Sequence, residues 1–271
     1  MTDTAALLAA YDAQLRGAPA VLPAGVVCEQ DGPLTRMVGQ VRGFVQAPAD
    51  LGLEGAALDA LIARQRDYFA ARGEGVEWKV RGHDRPAALP ERLHAAGFRP
   101  EDRETVLIGR ADRLTGGPDQ HALPPGITIR RTSTDADYTA IAALLTDVWD
   151  MDMAFLGEDL RSRVATAPED VVVFLAEAEG VPVSAAWIVF RPGTDFAGLW
   201  GGSTLAAWRG RGVYRALVAA RARLAAARAV PYVQVDASDD SAPILRRLGF
   251  EAVTTTTPYV WTPPVPPGTP A

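Results

Sequence analysis

The sequence has few of the residues that build metal sites, disulfides or phosphate loops. It contains one cysteine, Cys28, which excludes an intramolecular disulfide and any CxxC zinc or redox site. Its three histidines, His83, His94 and His121, form no HExxH pair, which excludes that class of zinc protease. The one lysine, Lys79, follows no glycine-rich loop, so a Walker-type nucleotide site is excluded as well.

Long apolar runs and excess positive charge are also missing. The 271 residues carry 27 Lys plus Arg against 33 Asp plus Glu, a net charge of −6, so we expect no nucleic acid to bind through bulk charge. No apolar run approaches the ~18 residues of a membrane span, and the first residues lack the positive segment of a secretory signal. With 48% hydrophobic residues, the sequence predicts a soluble, cytoplasmic enzyme or binding protein without membrane partners.

Residues 114–126 are expected to link two domains. This stretch holds three prolines and three glycines and shows no hydrophobic period. Residues 1–113 and 127–262, on either side of it, are each of ordinary domain size. Residues 263–271 are rich in proline, and we expect this tail to remain outside the folded domains.

The second half reads as a mixed α/β domain. A helix is predicted to begin at Thr134 or Asp135 and end at Trp149, with a second helix after it. Three strands then follow with loops too short for crossover helices, which predicts an antiparallel meander. The predicted segments are strands 127–130, 171–177, 183–190, 196–204, 232–236 and 253–261, and helices 134–149, 154–164, 213–229 and 240–250.

The first half repeats the last part of this order. A strand (76–80), a helix (86–98) and a strand (104–109) match the closing segments of the second half, and both helices end in LxxxGF, at Phe98 and Phe250. This agreement predicts a tandem duplication. The alternative is that Gly followed by an apolar residue simply ends many helices.

A glycine loop before a helix is the strongest motif of the chain. Gly210-x-Gly212 follows a predicted strand and opens a helix, where free N–H groups and the helix dipole favour an anion. One interpretation is a dinucleotide site with Asp236 as the ribose-binding acid. Against it, Arg215 replaces the third glycine, the preceding strands form a meander, and too few residues follow Asp236 for a doubly wound sheet.

The same loop resembles the pyrophosphate loop of the GCN5-related N-acetyltransferase (GNAT) superfamily. Arg209-x-x-Gly212 matches the pattern (Q/R)-x-x-G-x-(G/A) through its fourth position, with an aromatic residue, Trp208, before it. The resemblance covers about residues 126–262, roughly half the chain. It implies a GNAT fold, an α/β fold with a mixed sheet, for this half and a degenerate GNAT-like domain without a CoA loop for residues 1–113. The implied activity is N-acetyltransferase, and a non-catalytic acyl-CoA-binding or regulatory protein is the alternative.

The resemblance implies acetyl-CoA as co-substrate and no metal. Ser238 or Ser241 would donate to the sulfur or the CoA arm, although a helix N-cap is an alternative role for either serine. Tyr214 departs from the family pattern, which has Gly or Ala there. The residues implied to bind CoA are Thr204, Leu205 and Ala206 for the pantetheine arm, and Arg209, Gly210, Arg211, Gly212, Val213 and Tyr214 for the pyrophosphate.

Catalytic residues are not identified by the resemblance. The family's usual tyrosine acid is replaced by Leu245, its asparagine by Ser238, and strand 196–204 contains no acid. Candidates for the catalytic base include Glu177, Asp195 and Asp236, together with an acidic cluster at Asp147, Asp150 and Asp152.

The acceptor is expected to be a primary amine of a small molecule. The N-terminal amine of a peptide or protein is the alternative acceptor. The acids of this cluster alternate with apolar residues, which suits an amphipathic or cationic amine; these residues are Trp149, Met151, Met153 and Phe155. The alternative is an ordinary helix end with solvated acids. Oligomeric state and acyl chain length are not specified by the sequence.

Overall fold

The computed structural model describes residues 4–18, 22, 25–39, 42–115, 123 and 125–264. Most of the predicted linker, His121 and nearly all of the predicted tail lie outside these residues. Contacts divide the described chain into two compact units. The first takes its residues from Met1–Val106, Asp236–Ala242 and Ala252–Ala271, and the second from Leu107–Val235 and Pro243–Glu251. The domain boundaries 1–113 and 127–262 stay a prediction, and this partition differs from them at the C-terminal end.

The first unit contains a sheet with helices that cover its apolar face. Strands β1, β2 and β3 are antiparallel, β3 pairs with β4 in parallel, and β12 pairs with β4 antiparallel. The core side chains include Phe69, Trp78 and Phe98, all fully buried. Its elements are α1 (Thr4–Leu15), β1 (Val27–Asp31), β2 (Leu34–Val38), β3 (Arg42–Gln46), α2 (Gly55–Ala71), β4 (Gly75–Arg81), α3 (Leu89–Ala95), β5 (Arg99–Pro100), the start of β6 (Glu104–Arg110) and most of β12 (Glu251–Trp261).

The second unit contains the predicted meander. Strands β7 to β10 are antiparallel, and β10 pairs with β11 in parallel, which confirms the predicted mixed sheet. Its core lies between the sheet and the two helices α4 and α5. Its elements are β7 (Ile127–Arg131), α4 (Asp135–Trp149), α5 (Ala154–Thr166), β8 (Val171–Ala178), β9 (Val181–Phe190), β10 (Phe196–Thr204), α6 (Val213–Ala227), most of β11 (Tyr232–Ala237) and most of α7 (Ala242–Leu248). None of the helices described has the length and apolar character needed to cross a membrane.

The two units share one strand order. In each, three antiparallel strands are followed by a helix and then by a strand parallel to the third. The repeated LxxxGF segments also have one local structure, because Phe98 N–H donates to Leu93 O (3.0 Å) and Phe250 N–H to Leu245 O (3.1 Å). Gly97 and Gly249 are left-handed, so both segments are Schellman helix ends. The LxxxGF motif is therefore explained by helix capping alone. The shared strand order is a separate observation and does not depend on the motif.

The start of α4 is fixed by a capping box and an ion-pair network. Thr134 is the N-cap, as predicted, and the Asp137 carboxylate accepts the N–H of Thr134 at 3.0 Å. The Arg130 guanidinium donates to Asp137 Oδ1 at 2.6 Å and to Glu177 Oε1 at 2.6 Å. The bonds from Arg130, followed by those from the backbone, hold the pKa of Asp137 well below its usual value. Glu177, one of the candidate bases, is therefore committed to this network.

We expect Asp137→Asn to lower the free energy of unfolding by about 1–3 kcal/mol at pH 7, because it removes a charge-assisted bond. Since the folded-state pKa lies below the unfolded-state value, this stabilisation is present at neutral pH and is lost as pH falls below about 4. Urea unfolding, measured at several pH values from 7 to 3, should show that the difference in free energy of unfolding between wild type and variant becomes smaller. Asp135→Asn, at an exposed position in the same helical turn, is the control. A difference in free energy of unfolding that does not change with pH would contradict the lowered pKa of Asp137.

Candidate functional site

Helix α6 begins at two glycines whose backbone is left-handed. Gly210 has φ +73° and Gly212, the N-cap, has φ +86°. A Cβ atom at Gly210 would meet nothing within 4 Å, so the loop has room for a ligand close to its backbone. Arg209 Nε donates to Thr204 O at 3.1 Å and ties the loop to the end of β10. The predicted CoA-binding residues from Thr204 to Tyr214 therefore form one continuous segment around the helix start.

Three arginines surround this helix start rather than the six that the sequence offers. Arg209, Arg211 and Arg215 are exposed there, with Arg211 stacked over the Trp208 ring at 4.7 Å. The other three are used elsewhere: Arg223 donates to Thr115 O, Arg228 to Glu169 O, and Arg221 is buried. Three cations at the positive end of a helix dipole still favour a phosphate group.

Next to the loop, strands β10 and β11 separate. Their parallel pairing covers only Phe196–Gly198 against Tyr232–Gln234, although β10 continues to Thr204. Residues 199–204 therefore lie outside this pairing. An extended ligand with amide groups can pair with such a strand edge as an added strand would. The unpaired edge of β10 is thus followed directly along the chain by the anion site at the start of α6.

A bulge in β10 accompanies the separation. The register against β9 shifts between Trp200 and Ser203, so Gly201 and Gly202 oppose a single residue of β9. Gly201 is left-handed (φ +61°), and a Cβ atom there would overlap the Trp187 ring. A Cβ at Gly202 would lie 2.7 Å from Tyr214 Cε2. The Tyr214 ring therefore packs on β10, which explains how the loop accommodates a tyrosine where the GNAT pattern has Gly or Ala.

We expect Gly201→Ala to cost about 2–4 kcal/mol of stability, because overpacking against Trp187 adds to the strain of a left-handed alanine. Gly210→Ala is the matched control, since its backbone is also left-handed but its surroundings are open. That variant should lose only about 1–2 kcal/mol. Chemical denaturation of both measures the difference, and equal losses would contradict the packed bulge.

Ser238 and Ser241 belong to the first unit, where they form the turn before α7. Ser238 O accepts the N–H of Ser241 (3.1 Å) and of Ala242 (2.9 Å), and the two Oγ atoms lie 3.3 Å apart. These bonds define a backbone turn, and both helix capping by a serine hydroxyl and contact with CoA stay predictions for the two serines. Leu245, in the slot of the usual tyrosine acid, is fully buried.

Asp150 and Asp152 lie at the exposed junction of α4 and α5. Asp150 is left-handed at the end of α4, and Asp152 Oδ1 accepts the N–H of Ala154, the first residue of α5, at 2.9 Å. Trp149 Nε1 donates to Ser203 Oγ on β10 at 3.0 Å, so the residue before Asp150 is joined to the strand that carries the bulge. The two acids themselves have local roles in the backbone between the helices.

Large apolar side chains are exposed around this junction. Trp149, Met151 and Phe155 are 57%, 57% and 60% exposed, and Trp200 on β10 is 46% exposed. Trp200 pairs with Trp187, which packs in the core under α4 and α5, so Trp200 lies on the same face of the sheet. We call these four residues the acceptor surface. Exposed aromatics grouped in this way are typical of a binding surface.

Two further candidates for the catalytic base, Asp236 and Asp195, lie in different units. Asp236 belongs to the first unit and forms an ion pair with Lys79 at 2.9 Å. Burial opposes the charge of Lys79, but Asp236 and Glu77 outweigh it and raise the pKa of Lys79 above its usual value. Asp195 is exposed in the turn before β10. In the described part of the chain no three His, Cys, Asp or Glu side chains form a metal-binding group.

The first unit has a different arrangement at the corresponding helix. Before α2, the N–H of Gly52 is already bonded to Asp50 Oδ1 at 2.8 Å, and Glu54 is the N-cap. Strand β3 pairs with β4 through Arg42–Val45, so four of its five residues are paired. The first unit therefore has acidic residues before α2, where the second unit has arginines before α6. Its strands β3 and β4 are paired, whereas β10 and β11 separate. Cys28 is half-buried because it lies in the outer strand β1, and burial raises its thiol pKa.

Comparison with known proteins identifies the fold. No protein-family model matches the chain, and no curated protein matches it. Among solved structures, a GCN5-related N-acetyltransferase from Kribbella flavida is 19% identical, with a TM-score of 0.69 and coverage of 98% of this chain and 97% of that chain. A tandem GNAT protein from the clavulanic acid biosynthesis pathway is 15% identical (TM-score 0.64, coverage 96% and 94%). A GCN5-related N-acetyltransferase from Sphaerobacter thermophilus is 16% identical (TM-score 0.60, coverage 88% and 83%). The resemblance read from the loop is confirmed at the level of fold.

Proposed function

We propose that this protein is an acetyl-CoA-dependent N-acetyltransferase. The observation that carries the proposal is the separation of β10 from β11 directly beside the glycine loop of α6. A CoA molecule has a pyrophosphate at one end of its pantetheine arm and amide groups along that arm. The loop offers N–H groups and three arginines to the first, and β10 offers a strand edge to the second.

The residues present fit this co-substrate. Arg209 to Tyr214 would hold the pyrophosphate, because both glycines leave the backbone accessible and the helix dipole favours the charge. Thr204, Leu205 and Ala206 would meet the pantetheine arm. Donation from the Ser238 and Ser241 hydroxyls to the CoA arm stays a prediction. No metal is needed for these interactions.

In the proposed reaction the neutral amine nitrogen of the acceptor attacks the thioester carbonyl. A C–N bond forms, the C–S bond breaks, the amine loses a proton, and CoA leaves as a thiolate that is then protonated. A thiol of pKa about 8.5 can leave without a strong acid, so Leu245 in the tyrosine slot is compatible with turnover. Alignment of amine and thioester supplies much of the rate enhancement in such a reaction. The catalytic base is left unassigned.

For the acceptor we propose a small-molecule primary amine with an apolar or aromatic part. The acceptor surface would contact that part, and Asp150 or Asp152 would attract the ammonium group. The proposal includes no nucleic acid partner, because the net charge of the chain is negative, and no membrane partner, because the chain has no long apolar run. We propose a cytoplasmic location for the enzyme.

We further propose that the chain is a tandem of two GNAT-like halves, of which the first is degenerate. Its support is the strand order that both units share. Asp50 and Glu54 at the start of α2 account for the loss of the CoA site, because carboxylates there repel phosphate.

Thiol release from acetyl-CoA, measured with a panel of amines, tests the activity. We expect turnover that saturates with an apolar or aromatic amine. The second candidate, a non-catalytic acyl-CoA-binding protein, is favoured by the absence of an acid on β10 and by Leu245. Acetyl-CoA binding without thiol release by any amine would reject the enzyme in favour of that candidate.

Trp200→Ala should raise the KM for an aromatic amine about tenfold, because it removes a large apolar contact from the acceptor surface. The KM for a small polar amine should change little. Val181→Ala is the control, since Val181 is also exposed (63%) but lies at the start of β9 outside the acceptor surface. Equal effects on both amines would contradict the assignment.

Asp150→Asn and Asp152→Asn each remove a charge, while asparagine tolerates the left-handed backbone at 150 and keeps an oxygen that can accept the Ala154 N–H at 152. We expect the double variant to raise the KM of a cationic acceptor several-fold. Steady-state kinetics at low and high salt measure this change, which should shrink as salt increases. An unchanged KM at low salt would remove both residues from the site.

A further inference from the structure

A fully buried guanidinium lies beneath the bulge of β10. Arg221 is only 2% exposed, and it occupies the buried stripe of α6 with Val213, Leu217 and Ala225. Its Nε donates to Leu217 O at 3.1 Å, and its Nη1 donates to Trp187 O and Trp200 O, both at 3.2 Å. Among the residues that the structure describes, no carboxylate pairs with it. The three carbonyls belong to one helix and two strands.

Burying a cation without a carboxylate partner costs free energy of folding. Removing a guanidinium from water costs several kcal/mol, and neutral carbonyls repay this less fully than a carboxylate would. Burial lowers the pKa of Arg221 to about 10, which is still high enough to keep the side chain charged at neutral pH. An apolar side chain such as methionine would fill the same stripe of α6 without this cost. A cation retained here therefore calls for a role beyond core packing.

The position of Trp200 O indicates that role. Trp200 and Trp187 are the last directly paired residues of β9 and β10 before the bulge, and Gly201 turns the chain at the next position. Arg221 holds the carbonyls of this last pair together from one face, and the Trp187 ring packs on Gly201. A bulge bends its strand, and beyond this one β10 runs unpaired with β11.

We propose that Arg221 is a positioning residue, which anchors the bulge of β10 and thereby sets the course of the strand edge that receives the acyl-CoA arm. The inference rests on the proposed function. The planar guanidinium donates to both strand carbonyls through Nη1 while its Nε is held by Leu217 O, and a lysine ammonium would reproduce these three bonds with less geometric control. Arg221 does not contact the reacting atoms in this proposal, and it acts through the backbone of Trp200 to Ser203.

Arg221→Met tests the proposal with Arg223→Met as the matched control. Arg223 lies two residues away on the same helix, is exposed, and donates to Thr115 O at 3.0 Å. We expect Arg221→Met to lower kcat about 100-fold, because an ångström-scale displacement of the strand misaligns the thioester. The Kd for acetyl-CoA, measured by calorimetry, should change less than about tenfold (1.4 kcal/mol), because the pyrophosphate loop is untouched. Arg223→Met should change neither value.

Hydrogen exchange without ligand gives a readout independent of activity. We expect faster exchange in peptides of residues 199–205 in Arg221→Met, with exchange in α4 and α5 unchanged. If Arg221→Met fails to fold, Arg221→Lys takes its place, with the same localised exchange and a smaller loss of kcat. Unchanged exchange in residues 199–205 would overturn the proposal, and so would uniformly faster exchange with kcat and Kd weakened in parallel. If wild type shows no turnover with any amine, the enzyme proposal fails while the exchange experiment still decides the role of Arg221.

Discussion

The separation of β10 from β11 is the constraint on which the candidate site depends. Strands in a sheet pair along their length unless something bends them, and here pairing stops after Gly198. Shortly after this point β10 carries a glycine bulge, which packs against Trp187 and Tyr214 and adjoins the Trp200 carbonyl that Arg221 bonds. The strand edge, the loop of α6 and the acceptor surface all take their positions from this stretch of β10.

Much of the second unit could be predicted because its signals are local. The capping box of Thr134 and Asp137 marks the start of α4 within four residues, and short loops force the meander to be antiparallel. The glycine loop identified the anion site for the same reason. The pairing of β12 with β4 gives no such signal, because its partners are far apart in sequence and only the folded chain brings them together.

Two features of the site were missed, although the sequence carries a trace of each. Gly201 and Gly202 interrupt a strand pattern, which is a sign of a bulge, but the side chains that pack on them cannot be read from spacing. Arg221 is one of six arginines between Arg209 and Arg228, and a count of charge along the sequence assigns all six to the helix surface. Arg221 follows Val213 and Leu217 at four-residue intervals, which places it on the apolar face of the helix. Charge counted along a sequence therefore overstated the positive field at the loop.

The central claim is that the loop of α6 holds the pyrophosphate of acetyl-CoA, and calorimetry tests it most directly. Titration of acetyl-CoA into wild type should show saturable binding with one site per chain, because among the residues that the structure describes only the second unit has the arginine loop and the strand gap. Gly212→Asp adds a negative charge at a residue whose left-handed backbone Asp and Asn both tolerate, and Gly212→Asn is its neutral control. The account predicts that Gly212→Asp loses binding while Gly212→Asn keeps most of it. Binding that is unchanged in Gly212→Asp would contradict the account.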